Sequence, residues 1–426
     1  MNSNLKEFIK YTVFNVLGMI GLSCYILADT FFISFGLGAN GLAALNLALP
    51  VYSVINGSGL MLGIGGATKY AIMRNKKYNE SFMNTVFMSI VIGIIFFLTG
   101  IIFSGNIATL LGANKQVYHM TSIYLKVLLM FGPAFVLSNV MNAFVRNDGN
   151  PRLSMIAMLV GSFGNIILDY LLVIKFSMGM FGAVLATGFS PIMGLMVLSG
   201  HIVSENSNIK FKVAKIRASF IKSIIMLGIP SFVAEMSSGI VIFVFNIIIL
   251  GLQGNVGVAA YGVIANLALV VISIYTGVAQ GSQPLFSAAY GKNDKKMQKQ
   301  LFKYAITAVT LISIVIYAVI LLFANPITSI FNGEGNMQLQ AIAVKGMYLY
   351  FTSILFIGMN IVMATYFAAR EKVIPSYIIS FGRGFVVIIP MAFIMSFLWK
   401  MTGVWLAMTV TEGIIAAVGV ALIKKA

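Results

Sequence analysis

Acidic side chains are scarce in this chain of 426 residues: 11 Asp and Glu stand against 28 Lys and Arg. Other reactive groups are scarcer still. A single cysteine, Cys24, excludes a disulfide framework and, alone, a zinc site. The two histidines, His119 and His201, lie near the ends of apolar runs without ligand-like company. No GxxxxGK[ST] loop occurs, which excludes a built-in ATPase of that type. Neither a Ser–His–Asp order nor HExxH is present, so the chain reads as a non-enzyme without a cofactor. Any work it performs draws on an ion gradient or on a partner.

What is plentiful is apolar surface. Hydrophobic residues make up 59% of the chain, with 33 Phe and 26 Met, and only 9% is charged. No soluble domain hides that much. Apolar stretches of roughly 20 residues recur throughout, each long enough to cross a bilayer core of about 30 Å. The first is too long for a cleavable signal and ends in no small-residue cleavage pattern, so it reads as a span. Counting runs predicts twelve helices, at about 9–36, 45–72, 82–111, 117–146, 152–175, 181–203, 218–250, 257–288, 299–325, 337–369, 373–398 and 403–424. The expected fold class is therefore an all-α polytopic membrane protein.

A net charge of +17 invites a nucleic-acid partner, but the basic residues lie in short connectors and no soluble reading face exists. They are Arg74, Lys76, Lys77; Arg146, Arg152; Lys210, Lys212, Lys215, Arg217; Lys292, Lys295, Lys296, Lys299; Arg370, Lys372; and Lys424, Lys425. The alternate connectors hold only Lys115, Lys175 and Lys400. That positive-inside asymmetry puts both termini in the cytoplasm.

The widest connector, SENSNIKFKVAKIR at 204–217, falls at the midpoint and suggests an internal duplication. GLGANGLAALNLALP in the first half is echoed by GLQGNVGVAAYGVIAN in the second. FVRNDGNP after span four matches AAREKVIP after span ten, so Arg146 and Arg370 precede a proline by the same interval. FGAVLATG opening span six pairs with TGVWLAMT opening span twelve. The expected organisation is two pseudo-symmetric six-helix bundles, 1–203 and 218–426, joined by the linker 204–217. Parallel repeats of this kind place a substrate cavity near their interface.

Seven acids (Glu7, Glu80, Asp148, Glu205, Asp294, Glu334 and Glu371) fall at ends or in connectors and are expected to be solvated. Asp29, Asp169, Glu235 and Glu412 lie within spans, where a charge costs about 2.5–3.5 kcal/mol and so calls for a partner or a cavity. Asp29 lies roughly 10 Å deep from the far end of span one, at 1.5 Å per residue. Asp169 lies at similar depth, Asn165 is one turn before it on the same face, and Thr187 reaches that level from span six. Two carboxylates, an amide and a hydroxyl suit an all-oxygen cation site. They also suit proton binding, because two nearby carboxylates in low dielectric cannot both stay ionised. The alternative is that each acid only hydrogen-bonds a neighbouring helix.

Glu235 follows Pro230 and precedes Ser237 and Ser238, and either faces a cavity for cationic substrate or is a buried, hydrogen-bonded acid. Arg383 and Glu412, at comparable depth on adjacent spans, read first as a structural ion pair. Tyr25 lies one turn before Asp29, in place to hydrogen-bond it or only to pack.

DTFFISFGLGANGLAALNLALP, FVRNDGNPR, GNIILDYLLVI, GAVLAT and QGSQPLFSAAYGKND together resemble the multidrug and toxic compound extrusion (MATE) transporters, of the MepA-like or DinF-like branch, over essentially the whole chain. The resemblance implies exchange of H⁺ or Na⁺ for amphipathic organic cations across the inner membrane of prokaryotes, by alternating access. It implies that Asp29, Asn165, Asp169 and Thr187 form the coupling site, which is a metal site only if Na⁺ is the ion. Glu235 matches the family's second-bundle acid. Span ten offers Asn360, Thr365 and Tyr366 where one branch carries an acid, which shifts the expected coupling to the first bundle. Tyr25, Asn142, Glu235 and Gln283 are candidates for the substrate cavity, and a monomer is expected. A lipid-linked oligosaccharide flippase of the same superfamily is the alternative. It needs a basic cavity, for which Arg383, Lys69, Lys126, Lys222 and Lys345 are the candidates.

Overall fold

The computed structural model describes residues 3–73, 78–205, 207–211, 214–332 and 335–425. Arg74, Lys76, Lys77, Lys212 and Glu334 lie outside the described residues. The helices are α1 (Ser3–Ile72), α2 (Tyr78–Leu110), α3 (Tyr118–Met130), α4 (Gly132–Asn147), α5 (Pro151–Asp169), α6 (Gly179–Val203), α7 (Ala218–Gly291), α8 (Lys295–Phe331), α9 (Met337–Tyr350), α10 (Ile354–Ala368), α11 (Val373–Phe381) and α12 (Ile388–Lys424). Three of them are hairpins of two spans. α1 reverses at Gly38, α7 at Gly254 and α12 at Trp399–Lys400. Conversely, α3 and α4 form one span bent by 47°, and α9 and α10 form one span through a 3₁₀ turn. α11 runs through the π-helical turn Gly382–Val386 into the start of α12. Among the described residues this makes twelve spans, six before and six after the 204–217 linker.

The expected connectors at 37–44 and 251–256 do not exist as loops. Gly38 (φ 64, ψ −158) and Gly254 (φ 61, ψ −157) adopt the same backbone geometry, one that a side chain all but forbids. Three residues on, a Cβ on Gly41 would sit 2.4 Å from that of Leu37, and one on Gly257 would sit 2.5 Å from that of Gln253. Each reversal therefore needs two glycines. The same device recurs in both halves, at GLGANG and at GLQGNVG.

Large side chains on the outside of the bundles stay exposed, Phe35, Phe163, Phe243 and Phe397 among them. In hydrocarbon there is no penalty for that, and helix association depends instead on close packing and on polar contacts. Both appear between the halves. A Cβ on Gly65 would lie 2.0 Å from the Ile224 carbonyl oxygen, and one on Gly228 would lie 1.9 Å from that of Met61. Gly281 and Gly291 meet the backbone of Tyr11 and Ile72 in the same way. All four contacts lie toward the face that carries the chain ends. Toward the opposite face, Gly239, Gly251 and Gly262 have nothing within 4 Å of where a Cβ would sit.

Prolines inside spans leave carbonyls without their usual donor. Pro230 cannot donate to Met226, and the Tyr377 hydroxyl of α11 donates to that carbonyl instead at 2.7 Å. Tyr377→Phe is expected to cost about 1 kcal/mol, read as a lower midpoint in thermal unfolding of the purified protein.

Candidate functional site

Asp29 sits on the first arm of α1, nine residues before the break at Gly38. Asp169 is the last residue of α5, where the helix widens into the π-helical turn Tyr170–Lys175. Such single wide turns are often found at functional positions. The two residues are 7% and 0% exposed, and their carboxyls lie within hydrogen-bonding reach of each other. Asn165, assigned in the orientation that satisfies both neighbours, donates to Asp169 Oδ2 at 3.1 Å and accepts from the Thr187 backbone N–H at 3.2 Å. Pro191, four residues after Thr187, leaves the Thr187 carbonyl without its helical donor. Asp29 Oδ1 and Asp169 Oδ1 are buried and have no hydrogen-bond partner among the described residues.

The four residues that depth alone had grouped are thus one contiguous site. Two carboxyls can share a hydrogen bond only when one of them carries a proton. A small cation replacing that proton would meet unpartnered oxygens. Among the described residues no group of three His, Cys, Asp or Glu gathers.

Tyr124 of α3 is buried beside the site, near enough to Asp29, Asp169 and Thr187 to interact with them, a place its sequence context does not announce. Tyr25 does more than pack. Its hydroxyl is 2.8 Å from that of Tyr52 on the second arm of α1. Glu235 is held across the interface of the halves: Asn56 Nδ2 donates to Glu235 Oε1 at 2.9 Å, and Asn139 Nδ2 donates to Asn56 Oδ1 at 2.9 Å.

The other two cavity candidates have hydrogen-bond partners on neighbouring helices. Asn142 is bound to Ser154, accepting from its hydroxyl and donating to its carbonyl at 3.3 Å, which ties α4 to α5. Gln283 is 2% exposed; it donates to Thr68 Oγ1 at 2.8 Å and accepts from Asn147 Nδ2 at 3.0 Å. It thereby joins α7 to α1 and α4 across the contact between the halves. Arg383 and Glu412 form the expected pair, with Nη2 to Oε1 at 2.8 Å, and Asn360 donates to the same carboxylate at 2.6 Å.

The residues of FVRNDGNP are not solvated connector residues. Arg146 is buried and bridges the halves, donating to Asn15 Oδ1 of α1 at 2.8 Å and to Gln280 Oε1 of α7 at 3.1 Å. Lys69 pairs with Glu371 across the same face at 2.6 Å. Asp148 is buried as well. It accepts from the Tyr70 hydroxyl, from His201 Nε2 at 2.9 Å, and from the backbone and side chain of Asn208, each at 2.9 Å. His201 therefore has a partner that its isolation in the sequence conceals. Charge counting reads a basic residue at a span end as solvated; the density of polar groups in RNDGN was the signal against that.

Burial alone would push the Asp148 carboxyl up, but hydrogen bonds from His201, Tyr70 and Asn208 outweigh it and hold it below its usual range. A carboxyl lowered in the fold contributes stability in full above its unfolded value of about 4. That contribution is lost as pH falls through the folded value. Asp148→Ala leaves His201 and Asn208 without their acceptor and is expected to cost about 2–4 kcal/mol at pH 7. Thermal unfolding of both proteins between pH 7 and pH 3 checks this, because the gap must narrow toward the acid end.

A family model, MatE, matches residues 16–171 and 230–394. The multidrug export protein MepA of Staphylococcus saprophyticus is 27% identical over 424 residues, covering 97% of this chain and 92% of that protein. MepA of Staphylococcus aureus is 27% identical over 420 residues, covering 96% and 91%. Among solved structures, an outward-facing multidrug resistance MATE family transporter of the MOP superfamily superposes with a TM-score of 0.90 at 24% identity, covering 100% of this chain and 98% of that one. A MOP superfamily transporter from Pyrococcus furiosus, described as having a binding pocket of reversed polarity, superposes at 0.92 with 23% identity, covering 99% and 95%. At such identities the superpositions speak for the fold, while the family match extends over both halves: the chain belongs to the MATE family of transporters.

Proposed function

We propose that the chain is a secondary active multidrug efflux antiporter that exchanges H⁺ or Na⁺ for amphipathic organic cations across a prokaryotic cell membrane. The observation that carries this reading is the buried Asp29–Asp169 contact, completed by Asn165 and Thr187. A scaffold gains nothing from two carboxyls forced together in an apolar bundle, whereas a coupling device needs a site whose occupancy changes its net charge. The name of the staphylococcal relatives, multidrug export protein, supports the cargo class. The basic connectors support cytoplasmic termini.

In this reading the glycine contacts of α1 with α7, the Arg146 and Gln283 bridges and the Lys69–Glu371 pair close the cytoplasmic face. H⁺ or Na⁺ enters from the other face and occupies the carboxyl pair. Its arrival neutralises the pair and shifts the first arm of α1, and the cationic substrate leaves. Glu235, between the bundles beside Asn56 and Tyr52, attracts the substrate's positive charge. The flippase alternative loses two of its cations, since Arg383 is neutralised by Glu412 and Lys69 by Glu371.

The test is efflux of an ethidium-like dye from proteoliposomes under separately imposed pH and Na⁺ gradients. One of the two gradients must drive dye movement. If neither does, and the protein instead binds a lipid pyrophosphate, the flippase is the better reading.

A further inference from the structure

The first bundle carries a groove to which the proposed transport cycle assigns no role. It is a groove of about 450 Å³ between α3 and α6, with Lys126, Val127 and Phe131 on one wall and Phe181 and Leu185 on the other. Within α3, Tyr124, Leu125 and Leu128 are buried, whereas Lys126 and Met130 are exposed. Two residues along a helix is about 200° around it, so Lys126 points away from Tyr124, which faces Thr187 inside the bundle. In α6 likewise, Thr187 is buried and Phe181 is exposed. The groove therefore opens on the bilayer, and its walls are the backs of the two helices that present Tyr124 and Thr187 to the carboxyl pair.

Lys126 makes no ion pair or side-chain hydrogen bond among the described residues. It lies eight residues beyond the first residue of α3, roughly 12 Å along the span. A bare ammonium at that depth is costly. Helical side chains lean toward the N-terminus of their helix, which directs Nζ toward the headgroups of the leaflet opposite the chain ends. The rest of the groove is apolar, and the bend between α3 and α4 at Phe131 forms its inner end.

We propose that this groove seats one anionic phospholipid of the surrounding bilayer, its phosphate on Lys126 Nζ and an acyl chain along Val127, Phe131 and Phe181. The argument is charge complementarity: a lone cation in an apolar, lipid-facing groove matches a lipid with net negative charge. A zwitterionic lipid brings its own ammonium to the same place.

The full chain in phosphatidylcholine nanodiscs, doped with spin-labelled phosphatidylglycerol or spin-labelled phosphatidylcholine, tests this by the immobilised fraction of each label. The parent is expected to hold phosphatidylglycerol about fivefold more strongly than phosphatidylcholine, the scale of one lysine–lipid charge contact. Lys126→Gln removes that preference, Lys126→Arg keeps it, and Lys345→Gln, at an exposed lysine of α9, keeps it too. Preference retained in Lys126→Gln overturns the proposal, as does equal immobilisation of both lipids by the parent. So does a dimeric mass in the nanodisc, with the groove shut by a second copy. Lys126 is exposed, so its replacement leaves the packed interior intact, and an unchanged unfolding midpoint in Lys126→Gln verifies this.

Discussion

Asp29→Asn is expected to reduce gradient-driven dye efflux to the rate of protein-free liposomes while the protein still inserts and folds. The substitution keeps the size and hydrogen-bonding reach of the side chain, so packing around 7% exposed Asp29 survives. What it removes is the ability to gain and lose a proton, or to contribute a negative charge toward a cation. The contact with Asp169 becomes an amide–carboxyl hydrogen bond, which the amide can make to either ionic state of Asp169. Asp169 alone then lacks the like-charged partner on which the proposed coupling depends. Asp29→Glu, which restores the charge with an extra methylene, is expected to recover part of the rate. If Asp29→Asn effluxes like the parent, Asp29 merely hydrogen-bonds a neighbouring helix and the coupling site lies elsewhere, with Glu235 the next acid to test. Running the assay under pH and Na⁺ gradients separately identifies the ion in the same experiment.

Gly228→Val is expected to abolish efflux by a different route. A Cβ at that position would lie 1.9 Å from the Met61 carbonyl oxygen, and backbone on both sides cannot move aside as a flexible side chain would. Valine adds two further carbons. The halves must separate there, and the bridges from Arg146 and Gln283 lie in the same interface. The protein then favours the state open on the face of the chain ends, with its carboxyl pair intact. Thr12, buried at 6% beside Gly281, reports this when replaced by cysteine in a Cys24→Ser background. A membrane-impermeant maleimide on the side of the chain ends should label Thr12→Cys at least about tenfold faster in Gly228→Val than in the parent. Unchanged protection together with normal efflux would show that this contact is not the seal.

Much of the site was legible in the residues because membrane burial leaves an acid so few uses. Asp29 and Asp169 stood out against apolar neighbours, and helical register was enough to bring Asn165 and Thr187 to their level. Tyr124 was not legible, since a tyrosine in an apolar span usually only packs, and its neighbour Thr187 is distant in the chain. Asp148 was misread as solvated, and Arg146 as a residue of a short connector, because position along a span was taken for depth. Both lie at a span end yet are covered, by the neighbouring half and by the linker that folds back over it. Twelve spans were countable from hydropathy. The loopless reversals at Gly38 and Gly254 were not, because hydropathy marks where a span ends and is silent about how the chain turns. The wide turns at Tyr170–Lys175 and Gly382–Val386 leave no periodic trace either, being one or two residues of phase within an otherwise apolar run.

The reversal at Gly38 has a mechanical consequence. A hairpin without a loop has no slack, so its two arms behave as a single stiff lever rather than as two tethered rods. Asp29 rides on one arm, and Asn56, which holds Glu235 of the other half, rides on its twin. In the proposed cycle, a displacement of the first arm set by the ionic state of Asp29 would reach Glu235 through this tip and the second arm, which carries Pro50 before Asn56. Inserting two or three flexible residues at the tip would turn the lever back into tethered rods, leaving ion binding and substrate binding intact but disconnected.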